Sequence, residues 1–420
     1  MKNKIRQNIL AAVISTTMLS GAAFAEDVRM MWYSDGVEGE VMSDLLDRFM
    51  KKNPDINVIL DNVAYQVIQE QLPIALEAGN GPDIARVTNI KAQAKHWLDL
   101  TPHLSNADYW RKSFGDKADW MRPDGSNAIT GFMTQLTLTG GYANKTLFEQ
   151  ANVPLPGAKA TWDEWVDASA KVAANQQLVA AFAVDRSGHR ISGPNVSFGA
   201  NYIAADGKPN SVDEGTKAFV KKLVDWTNEG KHYRDVWVSA AGSSYRSAAE
   251  EFINAQVPFY YSGSWQISNL ATKIGDDFDW VATGSPCGTA ACSGLAGGAA
   301  LVAIKYTKHP KAVARVMDYL ASAEVVKEFS ERTLFIPAHT GLSGRDLNFD
   351  TKSEQVKAAL SGFMDASANV APNALALPAW KYASAYYGAL ATRTSQAMAG
   401  ELTLDQAFSR MDSDIAEKVK

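Results

Sequence analysis

The chain has 420 residues, 46% hydrophobic and 21% charged, which is enough for a large core and too long for one small domain, so two lobes are expected. Acidic residues (46) outnumber basic ones (41) and no basic run occurs, which argues against nucleic acid or an anionic membrane surface as partner. No apolar run reaches the roughly 18 residues that a membrane span needs.

The chain opens on the pattern of an export signal. Lys2, Lys4 and Arg6 give a positive start, Ile9 to Leu19 an apolar run, and Ala23-Phe24-Ala25 a small-residue cleavage site. The expectation is a leader over residues 1–25, cut near Ala25, and a free periplasmic protein. No lipid-bearing cysteine stands at the cut, so no direct membrane anchor is expected. Loss of the leader leaves 38 basic against 46 acidic residues, a formal net charge of −8.

Val28 to Trp32 reads as a strand ending in a polar turn, Tyr33-Ser34-Asp35-Gly36. Met42, Leu45, Leu46, Phe49 and Met50 then share one face of a helix that Asn53-Pro54 stops. Ile56 to Leu60 is a second strand, and a strand–helix–strand opening implies parallel pairing. Tyr65 to Ala78 reads as helix, bent or restarted at Pro73. Asp83 to Val87 is the third strand. Polar groups gather after all three strands: Tyr33 with Asp35, Asn62 with Tyr65, and Arg86 with Thr88 and Asn89. Open α/β sheets bind ligands at the carboxyl ends of their strands, so this side is the expected site.

Trp97 to Leu104 reads as a helix and a stop, and Ala128 to Gly141 as an extended segment able to cross between lobes. A short helix follows over Asn144 to Ala151, and Thr161-Trp162-Asp163-Glu164 opens another that runs to Ala174. Leu178 to Val184 is a strand, and the charge-dense turn behind it, Asp185 to Arg190, reads as a solvated loop. Asp213 to Glu229 is a long amphipathic helix.

Gly242 to Phe252 leads into the most informative stretch, Phe252 to Ile267. A strand, Val257 to Tyr261, gives way to the turn Ser262-Gly263-Ser264, with Trp265 at the start of a new helix. Ser264 has the side chain of an N-cap, and Gly263 tolerates the angles of a sharp turn. Trp265 would then stand at a strand end, offering a flat face and one N–H donor, although a core tryptophan has the same spacing.

Asp279 to Thr283 is a strand. The two cysteines, Cys287 and Cys292, read as a disulfide closing a tight loop in an exported protein. Their spacing is not that of a Cys-x-x-Cys redox pair, and zinc would need more ligands. Gly297-Gly298 fits no phosphate-binding loop, but paired glycines let a backbone approach a ligand or a neighbouring element. Leu301 to Ile304 is a strand, Pro310 to Leu320, Ala323 to Glu331 and Gln355 to Met364 are helices, and Leu334 to Pro337 is extended. Pro378 starts a helix with Trp380 in its first turn, and Leu404 to Val419 closes the chain as an amphipathic helix.

Several of these segments, in order, resemble the extracellular solute-binding proteins of carbohydrate ABC importers, family 1, the group that includes maltose-binding protein. The resemblance lies in Leu72 to Ile84 with its Gly-x-Gly-Pro-Asp-Ile end, and in Gly141 to Phe148 followed by Thr161 to Trp165. It continues through Phe252 to Trp265, Gly297-Gly298, Tyr306 to Pro310 and Phe335 to Pro337. It implies an α/β, two-lobed periplasmic-binding-protein fold with a ligand cleft between discontinuous lobes joined by a crossed hinge. Lobe one would comprise residues 26–134 plus 284–338, and lobe two residues 135–283 plus 339–420. Crossings would fall near Phe132–Gln135, Ala282–Gly284 and Pro337–Gly341.

By the same resemblance, Trp265 and Trp380 would stack on sugar rings. Tyr33, Asp35 and Glu38 would form a polar loop, Arg86 to Asn89 a second, and Gly297 and Gly298 would bring backbone near the ligand. Tyr65 and Arg186 are candidates from their turns alone, and Asp185 to Arg190 matches no family motif. The cysteine loop is not a general family feature. The implied protein is a monomeric receptor that hands a carbohydrate to permease subunits in the inner membrane, with no cofactor, metal or catalytic residue. Two alternatives stand beside it. Arg86 and Arg186 could hold a phosphorylated or sulfonated glycerol or sugar, which the Asp35–Glu38 charge would oppose. Asp35 and Glu38 could instead be the acid pair of a secreted glycan-acting enzyme, although no Gly-x-Ser-x-Gly or His-Glu-x-x-His marks a hydrolase.

Overall fold

Residues 25–239 and 245–419 are described by a computed structural model. Residues 1–24 of the expected leader, and the part of the Gly242 to Phe252 lead-in before Tyr245, lie outside them.

The opening follows the sequence pattern. Strand β1 (Glu26–Trp32) precedes helix α1 (Glu38–Lys52), which buries Met42, Leu45, Leu46 and Phe49. Strand β2 (Ile56–Asn62) pairs parallel with β1 from Glu26↔Ile56 to Trp32↔Asn62. Helix α2 (Tyr65–Glu77) runs without a break through Pro73, against the expected bend. Proline removes one helix hydrogen bond but its φ is helical, and buried Ile68, Leu72 and Leu76 hold both sides in place. Strand β3 (Ile84–Val87) is parallel to β1.

Trp97 to Leu104 is not helical. Leu98 N–H bonds the Ala303 carbonyl and Leu100 N–H the Ile129 carbonyl, both at 2.8 Å, so other segments rather than its own turns satisfy this backbone. Helix α3 (Ala107–Phe114), which the sequence reading did not pick out, follows. Strand β4 (Gly131–Asn144) confirms the long extended segment.

Asn144 caps α4 (Lys145–Gln150), and Thr161 and Glu164 form a capping box on α5 (Trp162–Gln176). Then come β5 (Phe182–Val184), α6 (Gly188–Ser197), α7 (Glu214–Asn228), α8 (Asp235–Val238), α9 (Ala249–Ile253) and β6 (Phe259–Gly263). A 3-10 turn, Ser264–Gln266, carries Trp265 into α10 (Ile267–Ile274). Strands β7 (Trp280–Gly284) and β8 (Ala296–Ala303) are followed by helices α11 (Pro310–Leu320), α12 (Ala323–Thr333), α13 (Glu354–Ser367), α14 (Pro372–Ala376), α15 (Ala383–Ala399) and α16 (Leu404–Lys418).

The strands lie in the order β2-β1-β3-β8-β4-β6-β5, with β7 also on β4. β4 joins two halves. Its first residues pair with β8, from Gly131↔Val302 to Leu138↔Ala296, and its last with β6, from Thr139↔Gly263 to Ala143↔Phe259. Separate apolar clusters pack on each half: Trp32, Phe49, Trp110 and Phe329 on the β1 half, and Trp162, Tyr260, Trp280 and Met411 on the β6 half. Helices α13 and α15 return to the β6 half, packing on β7 and on α6 to α8.

Three local expectations need correction. Ser264 does not cap α10: its Oγ accepts from Leu138 N–H at 3.2 Å. Gly263 has φ 173°, open to any residue, and is small because a Cβ would collide with the Trp265 ring. Trp380 ends a 3-10 turn (Leu377–Ala379), and α15 begins only at Ala383. The disulfide Cys287–Cys292 forms as expected, and its loop is held by Cys287 N–H on the Ala160 carbonyl at 2.9 Å and by Ala290 N–H on the Ser197 carbonyl at 2.8 Å.

Candidate binding cleft

The ends of β1 and β3, the middle of β4, the start of β8, the turns after β5 and β6, and the start of α15 surround a cavity of about 330 Å³. Of the candidates named from the sequence, Tyr33, Asp35, Tyr65, Asn89, Trp265, Gly297, Gly298 and Trp380 lie on its wall. Glu38, Arg86 and Arg186 do not.

The first wall is a relay of neutral hydrogen bonds. Tyr65 OH meets Thr88 Oγ1 at 2.9 Å, Gln69 donates to the same oxygen at 2.8 Å, and Asn89 donates to Gln69 at 2.7 Å. Ser384 of α15 donates to Asn89 Oδ1 at 3.0 Å, so the relay spans the cleft. The sequence reading missed Gln69, which stands one turn beyond Tyr65 on the same face of α2.

Arg86 lies beneath this wall, fully buried. Its guanidinium carbon sits 4.1 Å from the Tyr33 ring centroid and 4.8 Å from that of Trp32, and it donates to the Tyr33 carbonyl at 2.5 Å. It faces Glu38 at 3.4 Å, and Glu38 accepts from Asp35 N–H at 3.0 Å and Gly36 N–H at 2.5 Å. Both charged residues therefore fasten the turn that carries Tyr33 and Asp35. They do not themselves reach the cavity, which removes Arg86 as an anion ligand there and Glu38 as one of an acid pair. Asp35 reaches it, and burial together with the Glu38 charge raises its pKa to about 7, against the opposing pull of Arg86 and Arg190.

The turn after β5 contradicts the solvated-loop reading. Asp185 is fully buried and accepts from Ser262 Oγ at 2.6 Å, Ala248 N–H at 2.8 Å, Tyr260 OH at 2.9 Å and Arg190 Nε at 3.2 Å. Enough donors converge to hold a buried carboxylate. Arg186 turns away from the cavity and donates to Ser395 at 2.9 Å. Arg190 turns toward it and covers the Trp265 ring, 4.1 Å from the centroid. Trp265 is 6% exposed, and its indole N–H has no acceptor among the described residues. His189 also lines the cavity, and burial beside Arg190 pushes its pKa well below the usual imidazole value. The charge-dense turn at a strand's carboxyl end was the available signal for both residues. Tyr245, Trp120 and Tyr387 also face the cavity, and nothing local in the sequence marked them.

The floor is backbone. Gly298 has φ +158°, and a Cβ there would strike the Gln135 carbonyl, while one on Gly297 would come within 3.1 Å of the His189 ring. Trp380 closes the far end, its Nε1 donating to the Gly207 carbonyl at 2.8 Å. Among the described residues, no three His, Cys, Asp or Glu side chains converge as a metal site, and no helix is long and apolar enough to cross a membrane.

The model of the bacterial extracellular solute-binding protein family matches residues 33–327, well over half of the sequence, and the chain belongs to that family. No curated protein matches it. Among solved structures, the GacH receptor of Streptomyces glaucescens, solved unliganded and with acarbose, is similar with TM-score 0.78 and 18% identity, over 94% of this chain and 99% of that one. Lmo0181 from Listeria monocytogenes, solved with cycloalternan, has TM-score 0.77 and 15% identity, over 94% and 99%. The maltose/maltodextrin-binding domain MalE of Bdellovibrio bacteriovorus, solved with maltotriose, has TM-score 0.74 and 16% identity, over 94% and 99%. The fold is the two-lobed solute-binding fold of these proteins.

Proposed function

We propose that this protein is the receptor of a carbohydrate ABC importer, capturing a saccharide in the cleft and delivering it to permease subunits in the inner membrane. The observation that carries the reading is the cleft wall itself: flat aromatic rings stand among neutral hydrogen-bonding groups, one carboxylate and the cations of Arg190, Lys91 and Lys418. A sugar has apolar C–H faces and a rim of hydroxyls, and this wall offers partners for both. The saccharides bound to the structural relatives support the same class.

The lobes in this reading are residues 26–134 plus 284–338 and 135–283 plus 339–420, supported by the change of partner along β4 and by the two sets of apolar clusters. Closure of one lobe on the other captures the ligand, which shifts a hinged equilibrium and leaves the ligand chemically intact. Tyr33, Asp35, Tyr65, Asn89, Trp265, Gly297, Gly298 and Trp380 contact it; Glu38 and Arg86 hold the first of these in place, and Arg186 holds the turn after β5. The protein acts as a monomer in the periplasm, released from its leader near Ala25. A thermal-shift screen of residues 26–420 against mono- and oligosaccharides tests this. A ligand at 100 times its Kd raises folded-state stability by about 2.7 kcal/mol. Stabilisation by saccharides is the expected result, and stabilisation by none of them overturns the reading.

A further inference from the structure

Five charged side chains meet where the turn after β1 faces the turn after β5. Asp35, Glu38 and Asp185 are acidic, and Arg86 and Arg190 are basic. Each arginine already has its acid: Arg86 lies 3.4 Å from Glu38, and Arg190 lies 3.2 Å from Asp185. Asp35 is left over. It has only a longer contact, with Arg86 Nη2 at 4.0 Å, and no donor among the described residues hydrogen-bonds its carboxylate. Its side chain keeps 20% of its surface, and it forms part of the cleft wall.

The surroundings add no compensating charge. His189 is held neutral by burial, and burial raises the pKa values of Tyr33, Tyr65 and Tyr245, keeping them neutral too. Two lysines also line the cavity, but Lys91 is paired with Asp124 at 2.8 Å, and Lys418 stands on the exposed end of α16, where water screens it. The wall beside Asp35 is a row of aromatic rings: Tyr33 and Tyr65 have centroids 4.9 Å apart, and Tyr65 and Tyr245 5.1 Å apart. An uncompensated carboxylate next to aromatic rings is an environment for an organic cation, which gains from both the charge and the ring quadrupoles.

We propose that the ligand carries a basic nitrogen, protonated at neutral pH, that pairs with Asp35: an amino sugar, or a saccharide with an amine in place of a hydroxyl. This rests on the carbohydrate reading above and narrows it. A neutral saccharide would leave the excess charge in place when closure expels water, or force Asp35 to take up a proton. A cationic one supplies the missing charge and keeps Asp35 ionised.

The test is isothermal titration of residues 26–420 with matched pairs: glucose and glucosamine, galactose and galactosamine, cellobiose and the disaccharide of chitosan. The amine member should bind at least 10-fold tighter at pH 7.5. Its enthalpy should vary with the buffer's ionisation enthalpy in the sense of proton release. Asp35→Asn should erase the preference, and Asp35→Glu should retain part of it, with a cooperative thermal melt showing that each variant folds. Equal or tighter binding of the neutral member overturns the inference and leaves the carbohydrate reading intact. Binding of no member of any pair counts against the carbohydrate reading itself, and the inference falls with it.

Discussion

Arg190 lies over the indole of Trp265, its guanidinium carbon 4.1 Å from the ring centroid, while its Nε donates to the fully buried Asp185. The aromatic face that the family resemblance assigns to a sugar is thus covered by a side chain anchored from beneath. Arg190 and Trp265 together form one part of the cavity wall.

Arg190→Ala should cost stability as well as affinity, because it strands the Asp185 carboxylate without its cation. Breaking such a buried pair typically costs about 3–5 kcal/mol, softened here by the hydroxyl and backbone donors that remain on Asp185. Urea unfolding measures it. A variant as stable as the parent would contradict the network.

Arg86→Met should lower the denaturation midpoint and also weaken ligand binding, although Arg86 does not reach the cleft. The substitution leaves Glu38 buried without its cation and releases the Tyr33 carbonyl, so the turn bearing Tyr33 and Asp35 loses its fastening. Arg86→Met with Glu38→Gln should recover part of the stability. Denaturation of both single variants and the double variant measures the coupling, and strictly additive losses would contradict it.

Gly298→Ala tests the backbone floor. Its φ of +158° is unfavourable for a side chain, and the added Cβ would meet the Gln135 carbonyl. A loss of about 1–3 kcal/mol is expected, read as a lower thermal midpoint. Gly362, where a Cβ meets nothing within 4 Å and the backbone is helical, is the control position, and its alanine variant should be neutral or stabilising.

Asp35 gives stability a pH dependence of defined sign. Its folded pKa, raised to about 7, lies above the unfolded carboxylate value, so the folded state holds the proton more tightly. Its contribution is fully present below about pH 4 and is lost as pH rises through 7. Asp35→Asn should therefore flatten this part of the profile and be more stable than the parent at pH 8. Urea midpoints at pH 4, 6 and 8 measure this, and identical profiles would contradict it.

The sequence revealed the frame more readily than the chemistry. The parallel opening, the long strand β4 and the capped helices follow from local patterns, and they were legible. Trp97 to Leu104 was misread because its backbone is satisfied by Ala303 and Ile129, distant in sequence. The Asp185 to Arg190 turn was misread for the same reason. Dense charge normally marks a solvated loop, but Tyr260 and Ser262 supply the donors that let Asp185 be buried. Arg86 and Glu38 were recognised as polar groups near strand ends. Only tertiary packing reveals that they support the cleft from below.

The most direct test of the central claim is equilibrium binding of saccharides to residues 26–420, followed by chromatography of the recovered ligand. The account predicts saturable binding at one site, weakened by Trp265→Ala, with the saccharide returned unchanged. Conversion of the saccharide by the purified protein, or its failure to bind any saccharide, would contradict it.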